Sequence, residues 1–228
     1  MNPNRWAAAL FYCQILLLLT AVGSVSAGPS TSASKVIKLF GTIEFRSSLR
    51  VLPQWKRVLT VADDQAHRMS ACSGAACSPA ARSWQTVLKQ AREQSPLAQL
   101  KTINSYFNKW PYILDIERFG VSDYWASPEE FLTLSGDCED YSIVKYFALK
   151  QLRFDGRDMR IVVVKDRIRN VGHAVLAVYL DDTAYILDNL SNLVLPHDKY
   201  NHYLPQYSVN ESNRWAHVKP VGNPNRGN

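Results

Sequence analysis

Residues 127–152 read Ser-Pro-Glu-Glu-Phe-Leu-Thr-Leu-Ser-Gly-Asp-Cys-Glu-Asp-Tyr-Ser-Ile-Val-Lys-Tyr-Phe-Ala-Leu-Lys-Gln-Leu, and their punctuation decides the architecture. Ser127 with Glu130 three residues on is a capping box, and Phe131, Leu132 and Leu134 follow it as the apolar face of a short helix. Gly136 stops that helix. A second one begins at about Cys138 and runs to about Leu152, with Ile143/Phe147 and Val144/Ala148 at i, i+4 spacing on its buried faces. A thiol therefore sits where a helix starts, just after a Gly-Asp break and among three carboxylates.

Upstream of this stretch the periodicity is helical. Residues 55–69 carry Trp55, Val58, Leu59, Ala62 and Ala66 on one face, and residues 81–94 carry Trp84, Val87, Leu88 and Ala91. Cys72 to Ala80 is a loop of small residues. Ser95 as N-cap and Pro96 at the first helical position restart a helix whose buried side is Leu97, Leu100, Ile103, Asn104 and Phe107. It ends at Asn108-Lys109-Trp110-Pro111. Trp110 to Trp125 is irregular and aromatic-rich, either core or an apolar surface patch. Downstream the pattern changes to strands. Met159 to Val164 is β-branched, Gly172 to Leu180 is a second strand, and Asp181-Asp182 turns it into a third at Thr183 to Leu187. Gln206 to Val209 and Trp215 to Val218 are weaker strands. Helices followed by an antiparallel sheet make an α+β fold.

Composition bounds the rest. The chain has 228 residues, 46% hydrophobic and 20% charged, enough to bury one core and too apolar for wholesale disorder. Arg5, an uncharged stretch containing Leu16–Leu19, and Val25-Ser26-Ala27 have the form of a signal peptide cleaved after Ala27, with a retained membrane anchor as the rival. Residues 28–35 are then a disordered mature N-terminus, 36–222 the folded domain and 223–228 a tail. The mature chain is expected to be soluble, exported and periplasmic. The net charge of +6 falls by one with Arg5, and the remaining basic residues are scattered, which speaks against nucleic acid as a partner.

Export also sorts the four cysteines. Cys13 leaves with the leader. Cys72 and Cys77 are spaced for a small disulfide loop in an oxidising compartment. The rival is zinc, for which His67 is the only nearby further ligand. Cys138 remains, and an unpaired thiol in such a compartment is either deeply buried or chemically used. Helix amides would stabilise its thiolate, and its own N–H would face a developing oxyanion. His173, on the Gly172 strand, and Asp188, at the end of the next strand, supply a base and a carboxylate to orient it. Each of the three has a bland alternative: a small buried hydrophobe, a satisfied core histidine, a turn aspartate. Together they favour nucleophilic catalysis.

The three acids beside the thiol are harder to explain. Asp137, Glu139 and Asp140 would oppose thiolate formation if left bare. A bound Ca²⁺ resolves this, since hard carboxylate oxygens suit it, and Asp181 and Asp182 of the hairpin are offered as further ligands. The rival is simple complementarity of acids with a helix N-terminus.

Ser135-Gly136-Asp137-Cys138-Glu139-Asp140-Tyr141, Gly172-His173-Ala174-Val175-Leu176 and Leu187-Asp188-Asn189-Leu190 resemble the bacterial transglutaminase-like cysteine proteinases, and within them the LapG-type periplasmic proteases. Leu39-Phe40-Gly41-Thr42 and the Trp-bearing helices are similar too. The resemblance implies a papain-like fold in its transglutaminase-core variant, with Cys138 as nucleophile, His173 as base then acid, and Asp188 as orienting carboxylate. It implies Ca²⁺ bound by Asp137 and Glu139, with Asp140 as a further ligand. It also implies a large surface adhesin as substrate, cut near its N-terminus at a paired-alanine site, so that the adhesin is released and the biofilm disperses. The inhibitory partner it implies is an inner-membrane receptor for cyclic di-GMP. A second donor to the oxyanion is sought in Trp125 or Tyr124. The alternatives are acyl transfer to an amine, as in true transglutaminases, and a non-catalytic calcium-binding regulatory module.

Overall fold

The structure, a computed structural model, describes residues 37–220. The leader, residues 28–35 and the tail at 223–228 lie outside the described residues. Six helices come first: α1 (Pro53–Ala71), α2 (Pro79–Ala91), α3 (Pro96–Phe107), α4 (Asp115–Arg118), α5 (Pro128–Leu134) and α6 (Cys138–Gln151). One strand precedes them, β1 (Ile43–Ser47), and six follow: β2 (Met159–Asp166), β3 (Val171–Leu180), β4 (Thr183–Asp188), β5 (Ser191–Pro196), β6 (Tyr203–Val209) and β7 (Arg214–Val218). The strands form one antiparallel sheet in the order β1-β7-β6-β2-β3-β4-β5.

The expected helices are present, with α2 starting earlier than its apolar periodicity because Ser78 caps it. The Ser78 hydroxyl accepts the Ala81 amide at 3.1 Å and Pro79 opens the first turn. Helix α6 is the hub. Every residue from Asp140 to Leu149 is buried, so it has no polar face and packs on α3, on α5 and on the sheet at once. Trp55 of α1 closes the core over it, in contact with the rings of Trp125, Tyr146 and Phe147, and its indole N–H donates to the Asn210 carbonyl.

The sheet buries both faces. Ile161, Leu176, Val178 and Leu187 pack toward the helices, while Val162, Val164, Val175, Ala177 and Ile186 join Leu39, Tyr200 and Tyr203 on the opposite side. That side is covered by residues around the 3₁₀ turn Leu39–Gly41, whose Phe40 amide donates to His197. Cys72 and Cys77 form a disulfide, with Cα atoms 5.5 Å apart, and His67 nearby is exposed on α1. The aromatic segment divides between the two readings given for it. Trp110 and Trp125 pack into the core, whereas Tyr112, Leu114, Ile116 and Val121 are exposed. No described helix is long and apolar enough to cross a membrane.

Candidate active site

The bend before α6 is made by two unusual residues. Ser135 ends α5 at φ 63°, ψ −171°, a region that favours glycine. Gly136 follows because a Cβ there would overlap the Asp140 carboxylate, lying 2.7 Å from its Cγ and 2.8 Å from its Cβ. The space is taken because Asp140 folds back as a cap. Its Oδ2 accepts the Asp137 amide at 3.1 Å, and its Oδ1 accepts the Ala126 amide at 2.5 Å. These bonds fix the turn that delivers Cys138, the unpaired cysteine among the described residues, to the first position of α6.

His173 and Asp188 meet at one end of the sheet. His173 Nε2 and Asp188 Oδ1 are 2.9 Å apart, and both residues are buried. Strand alternation places them on the face of Val175, Ala177 and Ile186, away from the helices. They come to Cys138 at the strand end, where Cys138, His173 and Ala174 line a single cleft with Tyr112, Trp125, Val163 and Tyr207. Among the described residues the Cys138 thiol donates to Glu139 Oε2 at 3.2 Å and is not hydrogen-bonded to the imidazole. Burial pushes the Cys138 thiol well above its ordinary range, and the Glu139 and Asp137 charges push it further.

Asp188 is held from both faces of the sheet. Burial alone would raise its pKa, but His173, the Leu190 amide and the Tyr203 hydroxyl hold it below the usual carboxylate range. Behind it, the Asn108 side-chain amide donates to the carbonyls of Asp188 and Ser191 at 2.9 and 3.0 Å. Asn108 and Asn104 in turn accept from Lys145 Nζ at 2.7 and 2.8 Å. Lys145 is fully buried on α6, and that burial lowers its pKa to about 7. A chain of side chains thus ties the helix that carries the thiol to the turn that carries the carboxylate.

The acidic cluster is larger than the three residues seen in the sequence. Asp115 and Asp123 join Asp137, Glu139 and Asp140. Ligand oxygens lie within 4.8 Å of one another in the set Asp115, Asp123 and Glu139 and in the set Asp115, Asp137 and Asp140. Burial, reinforced by Glu139, raises Asp137 to about 8. Burial also raises Asp115, Glu139 and Asp140. The donor set fits a hard cation. All its atoms are carboxylate oxygens, and the buried Oδ1 atoms of Asp115 and Asp137 have no hydrogen-bond partner among the described residues. Asp140 belongs to the cluster, though both its oxygens already accept backbone amides.

Two expectations are corrected. Asp181 and Asp182 are exposed at the β3–β4 turn, the opposite end of the strand from His173, so they cannot join the cluster. Asp181 lies eight residue steps along the chain from His173, about 26 Å at the usual rise. Tyr124 is no oxyanion donor, because its hydroxyl donates to Glu130 at 2.9 Å and its ring lies under Arg57. Trp125 does line the cleft, with its indole N–H donated to Asp123 at 2.8 Å.

A thiol at the head of a buried helix, with an imidazole and a carboxylate paired on the antiparallel sheet beside it, defines the transglutaminase-like class of cysteine proteinase folds. The sequence model of the bacterial transglutaminase-like cysteine proteinases (BTLCP) matches residues 67–223, and the chain belongs to that family. Among solved structures, calcium-bound LapG of Legionella pneumophila is similar, with a TM-score of 0.57 and 28% identity over 73% of this chain and 93% of that one. The EGTA-treated form of the same protein gives a TM-score of 0.56 and 28% identity, covering 68% of this chain and 86% of that one. No curated protein sequence matches the chain.

Proposed function

We propose that the chain is a calcium-dependent cysteine endopeptidase in which Cys138 is the nucleophile, His173 the general base and then acid, and Asp188 the carboxylate that orients it. The observation that carries this reading is the single cleft that holds Cys138 and His173, with Asp188 fixed behind the imidazole. His173 takes the Cys138 proton, and the thiolate sulfur adds to the scissile carbonyl. The Cys138 amide, at the unsatisfied start of α6, donates to the oxyanion. His173 returns the proton to the leaving amine, and water resolves the acyl-enzyme. Asp115, Asp123, Asp137 and Glu139, with Asp140 behind them, would hold Ca²⁺. When bound, it supplies positive charge that offsets the carboxylates now opposing the thiolate. LapG of Legionella pneumophila, similar along most of its length, is known in a calcium-bound form.

In the same reading the protein is exported to the periplasm and cleaves a large surface adhesin near its N-terminus at a paired-alanine site, releasing it and dispersing the biofilm. An inner-membrane receptor for cyclic di-GMP restrains it. The motif resemblance supports these assignments, and the 1–27 leader supports export. A peptide containing an Ala-Ala pair, incubated with the protein and weighed by mass spectrometry, tests the chemistry. New termini at the pair are expected in Ca²⁺, and none in excess EGTA or with Cys138→Ala. Cross-linked products without new termini, or cleavage by Cys138→Ala, would overturn the assignment.

A further inference from the structure

Asp188 has more partners than the imidazole it faces. Its Oδ1 is shared by His173 Nε2 and the Leu190 amide, which lies 3.0 Å away. Its Oδ2 is turned away from both and accepts the Tyr203 hydroxyl at 2.6 Å. Tyr203 opens β6, two strands removed from β3 in the sheet, yet its ring reaches the His173 ring at a centroid distance of 5.7 Å. It is buried, and it stacks on Tyr200 at 5.4 Å with the planes 13° apart. The phenol is thus locked by packing on both sides while its one proton points at the carboxylate.

We infer that Tyr203 is a positioning residue for the His173–Asp188 pair, fixing the rotation of the Asp188 carboxylate so that Oδ1 stays in the line of the imidazole. An aspartate held by His173 and Leu190 alone has one engaged oxygen and can turn about its Cβ–Cγ bond. With Tyr203 on Oδ2 both oxygens are engaged, and turning breaks a short hydrogen bond to an ionised acceptor. The other ionisable groups near Asp188 do not substitute. Among the described residues the Lys145 ammonium of α6 donates to Asn104 and Asn108, not to Asp188. The Arg169 guanidinium, in the β2–β3 turn, is bound to Asp166. The Tyr200 hydroxyl is buried and has no hydrogen-bond partner among the described residues.

The inference rests on the proposed use of His173 and Asp188 in catalysis, and the test separates the two. Tyr203→Phe keeps the stacked ring and removes only the donor. With the Ala-Ala peptide in Ca²⁺, kcat should fall by about 10- to 100-fold with KM unchanged, the loss expected for one hydrogen bond to a charged group. The acid limb of the kcat profile should move to higher pH, because loss of a donor to the carboxylate favours its protonated form. Tyr200→Phe, which removes an unbonded hydroxyl from the same stack, should leave kcat unchanged. Proton NMR of the unmodified protein should show two slowly exchanging low-field signals, from His173 Nε2–H and the Tyr203 hydroxyl. In Tyr203→Phe the second should vanish and the first should shift. Unchanged kcat, or a kcat loss accompanied by an equal change in KM and an unmoved His173 signal, would overturn the assignment. Absence of the Tyr203 signal from the unmodified protein would overturn it without any variant. Low-field signals in a protein that cleaves nothing would refute the protease reading and leave the positioning geometry standing.

Discussion

Replacing Gly136 by alanine tests how the nucleophile is delivered to its place. The added Cβ would overlap Asp140 Oδ2, and it would lie 2.7 Å from Asp140 Cγ and 2.8 Å from Asp140 Cβ. The obstruction is not the free end of a mobile chain, because Asp140 is fully buried and held by the amides of Ala126 and Asp137. Relief requires Asp140 to swing out, which leaves two buried amides without acceptors. Each such loss costs about 1–3 kcal/mol, so Gly136→Ala should destabilise the fold by about 2–6 kcal/mol. That is a large part of the roughly 5–15 kcal/mol that holds a domain together. Urea unfolding followed by circular dichroism, at fixed Ca²⁺, measures it. A double-mutant cycle with Asp140→Ala identifies the cause. Both single variants lose the same two bonds, so the double variant should be no worse than the poorer single one, giving a large coupling term. A loss below about 1 kcal/mol for Gly136→Ala, or additive losses in the cycle, would refute the account, since either means that the glycine and the cap are independent.

Three further outcomes follow from the same geometry. Ser135→Gly relieves a positive-φ residue and should raise stability by about 0.5–2 kcal/mol, the backbone strain less the entropy of the added glycine, read as a shift of the urea midpoint. Lys145→Met strands the Asn104 and Asn108 side-chain oxygens and should cost about 2–5 kcal/mol in the same assay. Because burial lowers Lys145 to about 7, the unfolded chain binds the extra proton between pH 7 and about 10.4, so this residue makes stability rise with pH across that window. The methionine variant should show a flatter rise between pH 7.5 and 9.5. Asp115→Asn and Asp123→Asn should each reduce the thermal stabilisation that added Ca²⁺ gives, while Asp181→Asn should not.

The α+β order and the five larger helices were legible because each carries an apolar period, a proline at its start or a capping residue. What the sequence hid were elements without such a period. Strand β1 has four of its five residues exposed, so alternation never appears in it. Strand β5 is a short edge whose burial alternates only around Val194. Helix α4 has four residues, shorter than the interval over which helical spacing can be judged. Lys145 shows the limit from the other side. A lysine in an apolar helix reads as the solvated face, and only the tertiary structure supplies the two asparagine oxygens that let it be buried.

At the candidate site, sequence reasoning found the groups that lie close along the chain and missed those that the fold brings in. Asp137, Glu139 and Asp140 announce themselves by surrounding a thiol. Asp115 and Asp123 do not, because they sit in a segment with no regular period, and the fold closes that segment over the start of α6. The isolated bridge from Tyr112 to Gly136 and the bond from the Ile113 amide to the Gly136 carbonyl make that closure. The same two contacts therefore anchor the glycine on which the thiol turn depends and bring Asp115 up to Asp137. Asp115 then holds its own segment through the Tyr124 amide, bound to its Oδ2 at 2.6 Å, and leaves Oδ1 buried in the cluster with no partner among the described residues. Nucleophile geometry and acid-cluster geometry are for this reason not separable by mutation near Gly136. A cation drawing Asp115 and Asp137 together would tighten the turn that carries Cys138, even though the two halves of the cluster lie far apart in sequence.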